Sequence, residues 1–235
     1  MKARIKDKKE IAKGTLMITL DLLGEQLEFK AGQYFFLTLP HLIYPDERGA
    51  RRHFSIVSSP NAKGVLVMTT RLSDNGFKKT LKELPQGSEV EVGPIVGSFT
   101  LPQNFDQPLV FIAGGIGITP FMSMLKYTAE EKLPFNITMI YSNRNQDSSA
   151  FLKELEELTK RIPNLKLVLT MTEDDFWQGE KRRINGQLIT DYTANLKNPF
   201  FYIVGPPAMV EAVLGELHKI DVRDQNIKIE KFTGY

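Results

Sequence analysis

The sequence predicts a two-domain protein of the β plus α/β class, with an antiparallel β-barrel over residues 1–102 and a parallel-sheet α/β domain over residues 103–235. Three observations predict it. The first half reads as short strands punctuated by Gly and Pro, and the second half alternates strands with amphipathic helices. A glycine-rich turn joins the first strand of the second half to its first helix. The chain of 235 residues is long enough to build two cores.

The first half shows four β-type runs and one short helix, which is predicted over residues 76–84. Many short strands within so short a span favour a closed or nearly closed antiparallel barrel. The strands are predicted over residues 31–40, 53–57, 65–71 and 88–92.

The second half follows after a short polar connection, Pro102–Pro108. Alternating strands and helices imply right-handed βαβ units and a parallel sheet. Ligands of such sheets bind at the carboxyl ends of the strands, so we expect binding residues after Ala113, Tyr141, Met171 and Val204. The strands are predicted over residues 109–113, 137–141, 165–171, 200–204 and 227–232, and the helices over residues 120–131, 149–161 and 206–219.

Composition excludes several classes of protein. The net charge is +2, from 30 basic and 28 acidic residues without a long run of one sign, which argues against a dedicated nucleic-acid surface. The chain has no cysteine, so disulfides and thiolate-ligated iron–sulfur or zinc sites are excluded, and its three histidines show no metal-ligand spacing. Redox chemistry would therefore need an organic cofactor.

The sequence predicts neither a secretory signal nor a membrane span. The basic N-terminus is not followed by the apolar stretch of a secretory signal. The uncharged stretch over residues 107–125 approaches the length of a membrane span, but glycines and Pro120 interrupt it. A buried strand, a turn and a helix start explain this stretch, and we expect a cytoplasmic protein without a membrane span.

The turn Gly114–Pro120 is the strongest single motif. Glycines let the backbone approach a ligand, and Thr119-Pro120 is suited to the N-cap and first position of a helix. A glycine turn that leads into a helix N-terminus can bind a pyrophosphate. Pro120 stands where the G-x-G-x-x-G fingerprint has its third glycine, and a tight turn without a ligand is the alternative.

Two further motifs lie in the barrel half. On a strand, Arg52 and Phe54 point to one face while His53 and Ser55 point to the other. A phosphate-binding cation and a stacking aromatic ring would then share a face. The second motif, Gly93–Phe99, has two glycines and a serine, which suit either a phosphate contact or a simple turn.

The order and spacing of these motifs resemble the ferredoxin–NADP⁺ reductase superfamily over nearly the whole chain. Its R-x-[Y/F]-[S/T] motif matches residues 52–55, its G-P-x-G-x-F segment matches within residues 93–99, and its glycine turn matches residues 114–120. Its C-G-P-P-x-M turn matches residues 204–209, except that Val204 replaces the cysteine.

The resemblance implies an FAD site on the barrel. Phe54 would pack against the flavin, Arg52 would pair with the pyrophosphate, and Ser55 would hydrogen-bond near the hydride-accepting N5 atom. Ser55 and Glu230 are the residues assigned to catalysis. The family's second pyrophosphate segment matches residues 76–80, where Lys78 replaces a small hydroxyl residue. A position on a solvated helix face is the alternative role of Lys78 and Lys79. The other expected FAD contacts are His53, Ile56, Thr70, Arg71, Gly76, Phe77, Lys78, Lys79, Gly97 and Ser98.

The resemblance also implies an NAD(P)H site on the α/β domain. Arg144 would pair with a 2′-phosphate, and Lys181-Arg182-Arg183 adds positive charge, but surface salt bridges explain these residues equally well and NADH remains open. Either Phe232 or Tyr235 would cover the flavin face. The other expected contacts are Gly115, Gly117, Thr119, Pro120, Asn143, Gly205, Pro206 and Met209.

The implied activity is hydride transfer from NADPH or NADH to FAD, followed by electron transfer to a separate acceptor. That acceptor would be ferredoxin, flavodoxin, an oxygenase component or a small oxidant. A free-flavin or ferric reductase is an alternative, and so is a non-catalytic nucleotide-binding electron-transfer subunit, which the missing cysteine at Val204 favours.

Overall fold

The computed structural model describes residues 1–232 and divides into two compact units. The first unit comprises residues 1–101 and 119–127, and the second comprises residues 102–118 and the chain from Thr128 onward. The start of the helix after the glycine turn therefore groups with the first unit by its contacts.

The first unit is built on a six-stranded antiparallel sheet. Its strand order is β4-β3-β6-β1-β2-β5. The two edge strands approach each other, because the Val57 amide donates to the Val67 carbonyl at 2.8 Å. The predicted antiparallel barrel is thus confirmed. The strands are β1 (Lys2–Ala12), β2 (Thr15–Asp21), β3 (Tyr34–Thr38), β4 (Arg51–Ser55), β5 (Val65–Arg71) and β6 (Glu89–Val96).

The hairpin of β1 and β2 was not predicted from the sequence. Charged residues dominate β1, and Ala3 and Ile5 are the residues of this strand that are fully buried. Gly14, with a φ of +68°, makes the turn to β2. The two-residue alternation is present, but the outward-facing lysines and acids hide it in the sequence.

Helix α1 (Gly76–Glu83) caps this sheet and matches its predicted position. The Asn75 side chain accepts from the Lys78 amide at 2.8 Å as an N-cap. Phe77 and Leu81 are fully buried and join the barrel core. At the other end, the Lys8 ammonium donates to carbonyls of the last turn, including that of Lys82 at 2.6 Å.

The second unit contains a five-stranded parallel sheet with the order β11-β10-β7-β8-β9, which confirms the predicted α/β architecture. Strand β7 is buried along its whole length. The strands are β7 (Leu109–Gly114), β8 (Ile137–Asn143), β9 (Leu165–Met171), β10 (Phe200–Gly205) and β11 (Ile227–Lys231).

Four helices connect these strands along the chain. Helix α4 was not predicted, although Asn185 caps its N-terminus and Leu188 and Ile189 bury its apolar side. Within residues 1–232, no helix has both the length and the apolar character needed to cross a bilayer. The helices are α2 (Thr119–Glu130), α3 (Leu152–Arg161), α4 (Gly186–Thr193) and α5 (Pro207–Lys219).

Candidate functional site

An ion pair with the side chain of Asp46 holds Arg52 at the start of α1. The ion pair joins Arg52 Nη2 to Asp46 Oδ1, and both side chains are largely buried, at 12% and 5% exposed. The other terminal nitrogen, Nη1, donates at 2.7–2.9 Å to the carbonyl oxygens of Arg48, Gly49 and Arg51. The guanidinium expected to bind a pyrophosphate is thus bound to a carboxylate and a loop backbone.

The carboxylate of Asp46 also contacts the helix. Its Oδ2 accepts from the Phe77 amide at 2.9 Å, and its Oδ1 accepts from the Arg48 amide at 3.0 Å. These hydrogen bonds, the Phe77 amide above all, lower the pKa of Asp46. The sequence analysis missed Asp46 because its partners lie 6 and 31 residues away along the chain.

The first turn of α1 packs tightly against the loop that precedes β4. A Cβ on Gly76 would collide with the carbonyl oxygens of Tyr44 and Pro45. Lys78 is buried, and burial together with the charges of Arg48 and Arg52 lowers its pKa. Lys79 is more exposed and lies 3.4 Å from Asp74. Lys78 therefore forms a cluster of cations with Arg48 and Arg52, whereas Lys79 lies on the solvent-exposed side of the helix.

Strand β4 places its side chains as the alternation predicts. Phe54 pairs with Phe35 across the sheet, and His53 pairs with Phe36 on the opposite face. The Phe54 ring is 9% exposed and lies 6.0 Å from the ring of Phe77, so it faces the barrel core and α1. Ser55 and Ile56 are buried next to it.

A basic pocket opens on the other side of β4. Its volume is about 310 Å³. The Arg51 guanidinium lies over the Phe36 ring, 4.3 Å from its centroid. Burial and the nearby charge of Arg48 lower the pKa of His53. The pocket is lined by Phe36, Arg48, Arg51, Arg52 and His53.

The remaining FAD candidates are spread over β5 and the segment after β6. Thr70 is buried and its hydroxyl donates to the Arg71 carbonyl at 3.2 Å. Gly97 adopts a φ of +119°, which favours a glycine, and a Cβ at this position would lie 3.1 Å from the Tyr34 ring. Ser98 is exposed.

The glycine turn of the second unit follows β7 directly. A 3₁₀ turn spans Gly115–Ile118, with a φ of +54° at Gly115. A Cβ on Gly117 would lie 2.5 Å from the Val204 carbonyl oxygen. Helix α2 begins at Thr119, so Thr119 and Pro120 are its first two residues, one position later in the helix than predicted. The glycines thus bring the turn against the end of β10.

The carboxyl end of β8 carries a buried amide without a partner. Asn143 is 6% exposed, and neither its Oδ1 nor its Nδ2 has a hydrogen-bond partner within residues 1–232. Its backbone carbonyl accepts from the Thr172 amide at 2.9 Å, which fixes the backbone at this point. Arg144 follows and is exposed.

The basic run after β9 is already neutralised in part. Arg182 pairs with Glu180 at 2.6 Å and with Asp191 at 2.8 Å. The side chain of Lys181 donates to the Asp175 carbonyl at 2.9 Å. Two of the four basic side chains that the sequence suggests for a 2′-phosphate, Lys181 and Arg182, therefore already have protein partners.

Strands β10 and β11 end side by side at the same edge of the sheet. Val204 is fully buried and is aligned with Ala113 on one neighbour and Glu230 on the other. Burial raises the pKa of Glu230 to about 7, and its Oε2 is buried without a hydrogen-bond partner in the described chain. This carboxyl group therefore exchanges its proton near neutral pH.

The turn after β10 keeps its predicted residues. Pro206 precedes the first turn of α5, and Met209 lies in that turn. A Cβ on Gly205 would lie 2.8 Å from the Met209 sulfur. The Phe232 amide donates to the Gly205 carbonyl at 3.0 Å, which extends the pairing of β11. Tyr235 lies outside the described residues.

Comparison with family models gives two matches, one in each half of the chain. An oxidoreductase FAD-binding domain matches residues 2–100. An oxidoreductase NAD-binding domain matches residues 111–214.

Curated relatives agree with these matches. The chain is 31% identical over 209 residues to the gamma subunit of sulfhydrogenase 1 of Pyrococcus furiosus, covering 87% of this chain and 68% of that protein. It is 32% identical over 212 residues to the anthranilate 1,2-dioxygenase electron transfer component of Acinetobacter baylyi, covering 88% of this chain and 59% of that protein. The chain thus spans about three fifths to two thirds of the length of these relatives.

Solved structures share the fold. A ferredoxin NADP⁺ reductase from Neisseria gonorrhoeae with bound FAD and NADP aligns with a TM-score of 0.82 at 23% identity, covering 98% of both chains.

Proposed function

The chain belongs to the ferredoxin–NADP⁺ reductase superfamily, and we propose that it passes electrons from NAD(P)H, through bound FAD, to a separate acceptor. The observation that carries the proposal is the presence of an FAD-binding and an NAD-binding domain in one chain. We place their boundary between residues 102 and 103. When bound, FAD would accept a hydride and then release electrons singly or in pairs.

The positive charges near the start of α1 complement the negative charges of the FAD pyrophosphate. Arg48, Arg52 and Lys78 bring three cations near one another, and Arg52 is paired with the carboxylate of Asp46. We propose that Arg52, Lys78 and amides in the first turn of α1 hold the pyrophosphate. We propose that Phe54 packs against the flavin. The other FAD contacts are proposed to be His53, Ser55, Ile56, Thr70, Arg71, Gly76, Phe77, Lys79, Gly97 and Ser98.

The carboxyl end of the parallel sheet fits the nicotinamide nucleotide. Gly115 adopts a positive φ, and Gly117 and Gly205 allow close packing against Val204 and Met209, so we propose that the three glycines shape the edge of the sheet where the nucleotide binds. The side-chain amide of Asn143 has no partner among the described residues, and we propose that its donors and its acceptor bind the adenosine side of the nucleotide. Thr119, Pro120, Arg144, Pro206, Met209, Phe232 and Tyr235 complete the proposed site.

We assign proton exchange to Glu230, whose Oε2 has no hydrogen-bond partner among residues 1–232. A carboxyl group with a pKa of about 7 holds a proton at Oε2 or releases it with little cost at neutral pH. Ser55 is buried at the end of β4, where its hydroxyl would orient the flavin near N5. Val204 replaces the family's cysteine at the nicotinamide, so geometry rather than a thiol must position the ring.

The acceptor is proposed to be a small protein or a small molecule that meets the reductase in the cytoplasm. The chain has no cysteine and cannot itself ligate an iron–sulfur cluster with thiolates. Resemblance to a dioxygenase electron transfer component supports an oxygenase component, ferredoxin or flavodoxin as the acceptor.

An anaerobic titration tests the proposal. The purified protein is loaded with FAD and titrated with NADPH and separately with NADH, while the flavin absorbance is followed. We expect at least one nicotinamide to bleach the flavin, and ferredoxin, flavodoxin, ferric citrate and free FMN are then offered as acceptors. Retention of FAD without bleaching by either nicotinamide would favour the non-catalytic nucleotide-binding subunit. Rapid loss of FAD during purification with turnover of free flavin or ferric iron would favour the alternative reductases.

A further inference from the structure

We infer that Asp46 is an internal competitor of the FAD pyrophosphate, and that FAD binds by displacing the Asp46 carboxylate from Arg52 and from the first turn of α1. The inference rests on the proposed function, because that function assigns the pyrophosphate to this position.

The contacts of Asp46 are those that an anionic ligand of this position would make. One carboxylate oxygen pairs with the Arg52 guanidinium, and the other accepts from the Phe77 amide at 2.9 Å. A guanidinium and a helix N-terminal amide are typical partners of a phosphate oxygen. The position is also withdrawn from solvent, since the Asp46 side chain is 5% exposed. A pyrophosphate at the same two donors would have to take the place of the carboxylate.

The charge balance favours such an exchange. Arg48, Arg52 and Lys78 lie close enough to one another for the two arginines to lower the pKa of the lysine. Asp46 supplies one negative charge to this cluster, whereas a pyrophosphate diester carries two. Buried cations are stabilised by each added opposite charge within about 4–6 Å. The exchange of a carboxylate for a pyrophosphate therefore brings the cluster closer to neutrality.

The loop can release Asp46 without leaving α1. The amides of Ile43 and Tyr44 donate to the Thr80 hydroxyl at 3.0 and 3.3 Å. The Tyr44 hydroxyl donates to Glu83 at 2.7 Å. These bonds fasten the loop to the middle and end of α1, and none of them involves Asp46. The segment that would move is the turn Asp46–Gly49, which is closed by the Gly49 amide donating to the Asp46 carbonyl at 2.9 Å.

The affinity of the FAD-free protein for FAD tests whether the pyrophosphate displaces Asp46. Asp46→Asn removes the competing charge, and Glu47→Gln makes the same charge change at the neighbouring exposed position as a control. We expect Asp46→Asn to bind FAD about tenfold more tightly by flavin fluorescence while the flavin-free protein melts at a lower temperature. Glu47→Gln should change neither quantity. Damage to the fold alone would instead weaken FAD binding and lower the melting temperature together.

Hydrogen exchange of the unmodified protein gives a second test that does not depend on a variant. The Arg48 amide donates to Asp46 Oδ1 at 3.0 Å, so it should lose protection when FAD or inorganic pyrophosphate is added. The Phe77 amide should stay protected, because it exchanges one acceptor for another. Protection of Arg48 that persists in the FAD complex, or FAD binding to Asp46→Asn no tighter than to the unmodified protein, would overturn the inference. An unmodified protein that binds no FAD would instead contradict the proposed function.

Discussion

Two regions of the molecule differ in whether their buried polar groups have hydrogen-bond partners. At the start of α1, the charges of Arg52 and Asp46 satisfy each other and the surrounding backbone. At the carboxyl end of the parallel sheet, the Asn143 amide and Glu230 Oε2 are buried without a partner in the described chain. The polar groups of the first region satisfy one another, whereas the second region keeps buried polar atoms that no described residue satisfies. Removal of a polar group should therefore destabilise the first region and spare or stabilise the second.

The largest effect is expected for Arg52→Met. Loss of the guanidinium leaves Asp46 buried without its cation and frees three loop carbonyls. Breaking a buried pair costs about 3–5 kcal/mol, so the free energy of unfolding in urea should fall by about that much. The matched control is Arg51→Met, which removes an exposed neighbour that stacks on Phe36 and should cost under about 1 kcal/mol. Equal losses for the two variants would contradict the central role of the ion pair.

Glu230→Gln should act in the opposite direction, and its effect should depend on pH. The folded state raises the pKa of Glu230 from 4.5 to about 7, so its stabilising contribution is present below pH 4.5 and is lost as the pH rises through 7. The unmodified protein should thus lose roughly 3 kcal/mol relative to Glu230→Gln between pH 4.5 and pH 8. Urea unfolding at both pH values measures this difference. A flat difference for Glu230→Gln would remove the evidence for a buried proton-exchanging carboxyl.

Asn143→Leu separates ligand binding from stability. The new side chain has a similar shape and no unsatisfied amide, so the free energy of unfolding should stay constant or rise by up to about 1 kcal/mol. Binding of NADP⁺, measured calorimetrically, should weaken about tenfold if the amide contacts the nucleotide. Asn145→Leu is the contrast, because Asn145 Oδ1 accepts from the Ser148 amide at 3.0 Å and its loss should destabilise the protein. A destabilised Asn143→Leu with unchanged NADP⁺ affinity would reverse the assignment.

The smallest effect is expected for Arg144→Ala. An exposed cation that pairs with a 2′-phosphate should change the dissociation constant of NADPH by about fivefold and leave that of NADH unchanged. Arg182→Ala is the control, since Glu180 and Asp191 already engage Arg182. If Arg144→Ala weakens the binding of NADPH and NADH equally, the Arg144 side chain does not select between them.

The pattern of apolar residues predicted the elements in which that pattern is clear. Strand β7 reads as an unbroken apolar run, and α1 shows its apolar spacing. Strand β1 was missed because its outward-facing lysines and acids outnumber its buried Ala3 and Ile5. Helix α4 was missed because its short apolar pair Leu188-Ile189 lies between polar residues.

The sequence yields candidate site residues where a motif is continuous along the chain. The residues around Phe54 and the turn at Gly117 belong to such motifs. Asp46 could not be found in this way, because its two partners come from β4 and α1 and meet through the tertiary fold. The raised pKa of Glu230 depends likewise on burial beside β10, which the spacing of residues does not report.

The central claim is that one chain holds two separate dinucleotide sites. Calorimetric titration of the FAD-saturated protein with NADP⁺, and with NAD⁺ in parallel, tests it most directly because neither ligand can reduce the flavin. We predict one FAD per chain and one further nicotinamide dinucleotide per chain, with the FAD retained throughout. Displacement of FAD by NADP⁺ or NAD⁺, or saturation without any binding of either, would contradict the two-site account.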